Sequence, residues 1–198
     1  MGLLDLLFPK KEDAQKVTEE DMRNTIIKLN LPITILELFD GTCADKVVTR
    51  LGLNESYGFT KPYAIIDLLK YQQDHYLIDR YIPLLACGHG TIYAYDSLLN
   101  GFIKYYLELG PKDGQYPTLT WDGVFIDYIF SLWENKWIDD DNEEYTNEDI
   151  IYVGKLLGLK HIEVIMESIV RNFEVGTFNS YEKWTQETTD LLNTHINE

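Results

Sequence analysis

Apolar residues recur at helical spacing through the first part of the chain. Thr18, followed three residues later by Asp21, has the pattern of a capping box, and it predicts the start of a helix that stops before Pro32. A second helix is predicted after Pro32, with a break at Gly41. The apolar stripes consist of Met22, Ile26 and Leu29 in the first helix and Ile35, Leu36, Leu38 and Phe39 in the second. Residues 47–53 are compatible with either helix or strand.

The middle of the chain has the pattern of strands joined by tight turns. Apolar, β-branched and aromatic residues flank the turn Gly88-His89-Gly90, which predicts adjacent antiparallel strands over residues 81–87 and 91–96. A turn over residues 97–101 leads to a third strand over 102–109, and a loop follows to Pro117. Residues 63–71 are predicted to form a short strand that leads into a helical turn. Sequential strands with short turns indicate an antiparallel meander.

The last part of the chain returns to helical spacing. Thr120 is predicted to cap an amphipathic helix, and Asn147 to cap another that ends at Gly158. Two more helices are predicted over residues 161–173 and 181–196. The fold class is therefore α+β, with a central antiparallel sheet flanked by N-terminal and C-terminal helices. We expect one domain, in which residues 1–17 are an extension, 18–137 form the α+β unit, and 138–198 add an acidic loop and helices packed on the same unit.

Charge and composition narrow the classes of partner. The chain has 17 Lys and Arg against 33 Asp and Glu, a formal net charge of −16, so its field repels nucleic acid and anionic membranes. We expect a basic protein partner, although an acidic surface that serves solubility alone explains the same charge. No apolar run approaches the roughly 18 residues of a membrane span. With only two cysteines there is no disulfide framework, and we expect a cytoplasmic protein.

The strand region carries a likeness to a known family. An Ile-Pro strand, a glycine turn, an aromatic strand that ends in Asp, and a further strand after a glycine follow one another along the chain. In this pattern the sequence resembles the SUKH superfamily, the Smi/Knr-type domain of many bacterial immunity proteins. The resemblance covers about residues 18–136, and its motif positions suit structural roles in strands and turns. These positions are Ile82, Pro83, Gly88, Gly90, Tyr93, Asp96 and Gly101.

The resemblance implies an immunity function, in which the chain binds a toxin and blocks it inside the producing cell. An acidic inhibitor can imitate a phosphate backbone in the basic cleft of a nucleic-acid-directed toxin. The predicted partner-binding residues lie in and beside the acidic loop, although this run also fits a solvated loop. They are Trp137, Asp139, Asp140, Asp141, Glu143, Glu144 and Tyr145. The alternatives are a regulatory or scaffold module of the same fold, an uncharacterised enzyme, and a structural protein.

No residue pattern in the sequence predicts catalysis, a cofactor or a metal. Cys87 and His89 could in principle act as nucleophile and base or begin a metal site, but a zinc site needs about four ligands. Cys43, His75, His161 and His195 have no suitable spacing relative to this pair. We therefore expect a buried cysteine and an ordinary turn histidine, and we predict that the protein is not an enzyme.

Overall fold

The computed structural model describes residues 17–55, 58–111, 116–135, 145–174 and 180–194. It is an α+β fold in which a four-stranded antiparallel meander carries helices on both sides, so the predicted fold class is confirmed. The strands are β1 (Phe59–Thr60), β2 (Tyr81–Cys87), β3 (Thr91–Asp96) and β4 (Gly101–Tyr106), in that spatial order. The helices are α1 (Glu19–Lys28), α2 (Ile33–Asp40), α3 (Lys46–Arg50), α4 (Tyr63–Ile66), α5 (Lys70–Gln73), α6 (Trp121–Asn135), α7 (Asn147–Leu156), α8 (Ile162–Ile169) and α9 (Tyr181–Thr194).

Two capping boxes define helix starts. At α1 the Thr18 hydroxyl accepts the Asp21 backbone N–H at 3.2 Å, and the Asp21 carboxylate accepts the Thr18 backbone N–H at 2.8 Å, as predicted. The same arrangement joins Thr146 and Asp149 at α7, at 3.3 and 2.8 Å. The predicted cap at Asn147 is therefore wrong by one residue, because the hydroxyl at Thr146 is the group placed to accept the orphan N–H. Residues 47–53, left open by the sequence, begin with α3.

One predicted strand is wrong. Residues 63–71 contain α4 and the start of α5, and the backbone N–H groups of Ile65 and Ile66 donate to the Pro62 carbonyl. The fourth strand of the sheet is instead the two-residue β1, which pairs with Ala86 and Cys87 of β2. Short apolar runs of this kind fit helix and strand equally well, so local pattern does not separate the two. The predicted third strand also ends early, because the N–H groups of Leu109 and Gly110 turn back to the Tyr106 carbonyl.

Pro83 lies inside β2 and not at its start. It faces Ala94 of β3, and the register between the strands shifts between Pro83 and Leu85. Since β1 pairs with β2 only at Ala86 and Cys87, no described strand lies on the other side of Pro83. Proline lacks a backbone N–H and is tolerated in a sheet at bulges and edges, and both conditions hold here.

The core continues from the sheet into the C-terminal helices. Tyr93 of β3 stacks on Phe125 of α6 at 4.9 Å between ring centroids, and Phe102 of β4 meets Trp121 edge to face at 4.8 Å. The Trp121 indole N–H donates to the Leu157 carbonyl at 2.7 Å, which joins α6 to the end of α7. Helices α7, α8 and α9 pack against α6, and α1 packs against β2. Buried residues from Met22 to Leu192 form one cluster.

The outer edge of the sheet is partly covered. Phe102 of β4 exchanges backbone hydrogen bonds with Leu119, at 2.9 and 2.7 Å, so the segment before α6 runs antiparallel to this strand. No helix in the described part of the chain has the length and apolar character needed to cross a membrane.

The junction of α7 and α8 generates a testable expectation. A Cβ atom at Gly154 would lie 2.4 Å from Cγ1 of the buried Ile162. We expect Gly154→Ala to destabilise the protein by about 1–3 kcal/mol in urea unfolding, because overpacking outweighs the higher helix propensity of alanine. In an Ile162→Ala background the same substitution should be less destabilising, since the obstructing atoms are absent. Equal losses in both backgrounds would contradict the packing explanation.

Candidate functional site

Asp96 is the centre of a buried polar network at one end of the sheet. Its side chain has no solvent exposure. The carboxylate accepts from Nε and Nη2 of Arg80 at 3.1 and 3.0 Å, from the Thr118 hydroxyl at 3.0 Å, and from the backbone N–H groups of Leu98 and Leu99 at 3.0 and 3.3 Å. Burial opposes ionisation, but these hydrogen bonds outweigh it and hold the pKa of Asp96 below its ordinary value. The structural role in a turn that the sequence suggested for Asp96 is thus a set of hydrogen bonds that also includes Arg80 and Thr118.

The network fixes the conformation of the β3–β4 turn. Besides the two bonds to Asp96, the Tyr95 hydroxyl donates to the Asn100 side chain at 2.9 Å, and the backbone N–H of Ser97 donates to the Arg80 carbonyl at 2.9 Å. The turn holds Leu98 and Leu99 in the solvent, with 69% and 59% of their surface exposed. Two apolar side chains are thus displayed on a backbone that is already ordered.

Beside this turn lies a surface pocket of about 360 Å³, lined by Asp74, Leu77, Ile78, Asp79 and Arg80. Leu77 has φ 47° and ψ 46°, the left-handed conformation, and is 39% exposed. The other described non-glycine residues with positive φ are Asn30 and Asn100, a residue type that tolerates this region. For leucine the conformation costs roughly 1–2 kcal/mol. We refer to Leu77, Leu98 and Leu99, with the flanking Asp74 and Asp79, as the leucine surface.

A second concave region lies between β4, α6 and α9. It is a groove of about 410 Å³, and Lys104, Asp127 and Tyr181 meet inside it. Lys104 forms an ion pair with Asp127, and the Tyr181 hydroxyl donates to Oδ1 of Asp127 at 2.6 Å. Burial lowers the pKa of Lys104 to about 8, while the adjacent carboxylate favours the charged form. A lysine of this kind can serve as a base or nucleophile, but here its ammonium group pairs with Asp127 of α6. The same carboxylate accepts from Tyr181 of α9, so the three side chains join β4, α6 and α9.

Cys87, which we expected to be buried, is half-buried and packs against the core. Burial raises the pKa of the Cys87 thiol to about 11, so the thiolate is scarce at neutral pH. Burial also raises the pKa of Cys43. Within the described ranges, no group of three or more His, Cys, Asp and Glu side chains is arranged to hold a metal ion.

The family-motif residues occupy structural positions in the sheet. Ile82 and Pro83 lie in β2, Gly88 and Gly90 bound the short 3₁₀ turn, and Tyr93 is buried in β3. Gly90 has φ 81°, a region that favours glycine. At Gly101 an added Cβ would lie 2.4 Å from Cγ2 of Thr118, so glycine is required for the close approach of the covering segment.

The predicted partner-binding residues fall almost entirely beyond the structure. Trp137, Asp139, Asp140, Asp141, Glu143 and Glu144 lie outside the described residues. Tyr145 is described: it is half-buried, and its hydroxyl donates to the Leu132 carbonyl at 2.5 Å, so it ties the start of the C-terminal helices to α6. The leucine surface was missed by sequence reasoning. The signal available for it was the pair Leu98-Leu99 in the middle of a predicted turn.

Ion pairs within the fold determine which charges remain for other contacts. Seven Lys and Arg side chains in the described part of the chain each pair with a carboxylate of the same chain. Because every such pair cancels one charge of each sign, the other carboxylates of the chain outnumber its other Lys and Arg side chains by 16. The pairs are Arg23–Asp40, Arg50–Asp149, Lys61–Glu19, Arg80–Asp96, Lys104–Asp127, Lys155–Glu163 and Lys183–Glu187.

No protein family, curated protein or solved structure matches the chain with statistical significance.

The buried pair can be tested through stability. We expect Asp96→Asn to lower the free energy of unfolding by about 3 kcal/mol at pH 7, because it removes the buried carboxylate to which Arg80 and Thr118 donate. The exposed pair provides the control: Asp40→Asn, which breaks the contact with Arg23, should cost less than about 1 kcal/mol. Urea unfolding measures both, and similar losses for the two variants would contradict a special role for Asp96.

The loss of stability in Asp96→Asn should depend on pH. The folded pKa of Asp96 lies below its unfolded value, so its contribution to stability is present above about pH 3.9 and is lost as the pH falls through the folded pKa. The difference in unfolding free energy between the wild type and Asp96→Asn should therefore be constant near neutral pH and shrink below about pH 4. A difference that persists unchanged in acid would show that charge is not its source.

The cysteines can be tested by reactivity. With both thiol pKa values raised by burial, we expect the native protein at pH 7 to react with a thiol reagent far more slowly than the urea-unfolded chain. Separate Cys43→Ser and Cys87→Ser variants assign the two rates. Native reaction at Cys87 as fast as in urea would restore it as a nucleophile candidate.

Proposed function

We propose that the chain is a non-catalytic immunity-type protein of the SUKH kind, which binds a basic toxin domain and neutralises it. The observation that carries the proposal is the acidic surplus. Seven of the described Lys and Arg side chains are engaged in ion pairs within the chain, and the other carboxylates of the chain outnumber its other cations by 16. A surface of this kind attracts a basic protein over a distance of about 8–10 Å at physiological salt and accelerates encounter.

The geometry of the motif residues supports the family part of the proposal. The pattern of an Ile-Pro strand, a glycine turn, an aromatic strand ending in Asp, and a strand after glycine corresponds to β2, the 3₁₀ turn, β3 and β4 of a meander. Asp96 and Gly101 each have a structural reason to be the residue they are, since one bonds the turn and the other admits Thr118. The likeness therefore involves the elements that hold the sheet together.

The mode of inhibition follows from charge. A toxin directed at nucleic acid has a basic cleft, and a cluster of carboxylates can occupy the positions of phosphate groups in it. Asp139, Asp140, Asp141, Glu143 and Glu144 remain the predicted contacts of this kind, with Trp137 and Tyr145 as neighbouring aromatic side chains.

A regulatory or scaffold module with the same fold is the alternative. It predicts an endogenous partner whose capture has no effect on cell survival. The distinction is functional: proteins retained from the native lysate at low salt and released at high salt are identified by mass spectrometry and expressed singly in a test cell. If one of them arrests growth and co-expression of this chain restores it, the immunity proposal is supported. If no captured protein is toxic, or toxicity persists with the chain present, the scaffold interpretation replaces it.

The acidic loop can be tested by charge reversal. We expect the variant Asp139→Lys/Asp140→Lys/Asp141→Lys to associate with the captured toxin roughly tenfold more slowly at low salt, with a flatter salt dependence. The matched control reverses three exposed carboxylates elsewhere, Glu55, Glu108 and Glu167, and gives the same net charge. Equal slowing in both variants would mean that only total charge matters, and an unchanged rate in the loop variant would remove the loop from the interface.

A further inference from the structure

We infer that the leucine surface is a second contact site on this protein, and that its ligand is an apolar segment of a partner protein flanked by Lys or Arg side chains. The inference rests on the proposed binding function and adds to it a location and a ligand chemistry. It places the apolar part of recognition at the end of the sheet that carries the β3–β4 turn.

The three leucines of the leucine surface are exposed to solvent. Leu98 and Leu99 stand 69% and 59% exposed, and Leu77 stands 39% exposed beside the pocket of about 360 Å³. The three are joined through the Arg80–Asp96 pair, because Arg80 lines the pocket with Leu77 while Asp96 bonds the backbone of both other leucines. Adjacent exposed leucines rimmed by polar groups are typical of a protein contact site.

The backbone that carries Leu98 and Leu99 is already ordered. The β3–β4 turn is fixed by bonds from Leu98 and Leu99 to Asp96, and by the Tyr95–Asn100 bond. A partner that binds these leucines does not have to order the turn. Less of the free energy gained from the apolar contact is therefore lost to conformational entropy. The strained backbone at Leu77 points in the same direction. Glycine or asparagine suits the left-handed region, yet this position holds a bulky apolar side chain at the pocket wall.

Charge identifies the occupant. Asp74 and Asp79 line the pocket together with Arg80, and Arg80 pairs with Asp96, so this region holds three carboxylates and one guanidinium and is net negative. Cationic side chains on either side of an apolar segment complement it. A second copy of this chain, with the same net charge of −16, is repelled, as are nucleic acid and an anionic membrane.

A synthetic peptide tests the site without knowledge of the natural partner. The probe is a peptide of about 15 residues with leucine and lysine at helical spacing. In a titration of leucine-methyl-labelled protein, we expect saturable shifts at Leu77, Leu98 and Leu99. The methyl groups of Leu191, which is 47% exposed on α9, should not move. Peptides with serine for leucine, or glutamate for lysine, should leave all methyl signals in place. Uniform shifts at all exposed leucines, or none, would overturn the inference.

Substitutions separate the leucines from general surface effects. We expect Leu98→Ser/Leu99→Ser to weaken peptide binding about tenfold or more, while Leu191→Ser changes it less than about twofold. Asp74→Lys/Asp79→Lys should weaken it more than Glu55→Lys/Glu167→Lys, which alters the net charge equally. Identical effects within either pair of variants would overturn the assignment.

Leu77→Gly gives a signature that a purely structural residue would not. Glycine relieves the left-handed backbone, so we expect an unchanged or higher Tm together with weaker peptide binding. Unchanged binding would remove Leu77 from the contact site.

Two outcomes distinguish a failure of this inference from a failure of the proposed function. If the toxin-rescue assay succeeds equally with wild type and Leu98→Ser/Leu99→Ser, the immunity function stands and this inference fails. If rescue never occurs but the peptide results hold, the site stands and its partner is not a toxin.

The alternative ligand of the leucine surface is the N-terminal segment of the same chain, which contains Leu3, Leu4, Lys10 and Lys11. Movement of the three leucine methyl signals on deletion of residues 1–16, in the absence of peptide, would overturn the assignment to a partner.

Discussion

The ionised carboxylate of Asp96 is the constraint on which the organisation of this fold depends. It lies where β3 ends, where Arg80 precedes β2, and where Thr118 precedes α6. A buried charge is tolerated only when it is paired and fully hydrogen-bonded, so these segments must meet at one point for Asp96 to be accommodated. The position of the β3–β4 turn, and with it the direction of Leu98 and Leu99, follows from that requirement.

Some Lys and Arg side chains stabilise the fold through ion pairs, whereas the surplus of carboxylates sets the electric field around the molecule. Inside the fold, cations join elements that are distant in sequence: Lys61 reaches Glu19 of α1, and Arg50 reaches Asp149 of α7. Such contacts are individually weak where they are exposed, but they place positive charge against the chain's own carboxylates. The outward field is then dominated by the remaining carboxylates. In the proposed function, this charge speeds the encounter with a basic partner, and the exposed leucines of the proposed contact site supply contacts that salt does not screen.

Much of the fold could be predicted because its signals are local. The capping box at Thr18, the break at Gly41, and the hairpin around Gly88 to Gly90 each depend on residues a few positions apart. The failures have the same origin. Thr146 was missed although Asp149 stands three residues later, and residues 63–71 fit two periodicities at once. The Arg80–Asp96 pair, the groove around Lys104, and the conformation of Leu77 all depend on contacts made only after the chain has folded, so no local pattern identified them.

The treatment of the sheet edges has a consequence for the behaviour of the protein at high concentration. One edge strand, β1, has only two residues, and the other, β4, carries Lys104 and is paired at Phe102 with Leu119, two residues after Pro117. A short strand, a charged side chain and a nearby proline all hinder the addition of a further strand from another molecule. The edges of the sheet therefore disfavour polymerisation of the protein through its strands even when its concentration is high.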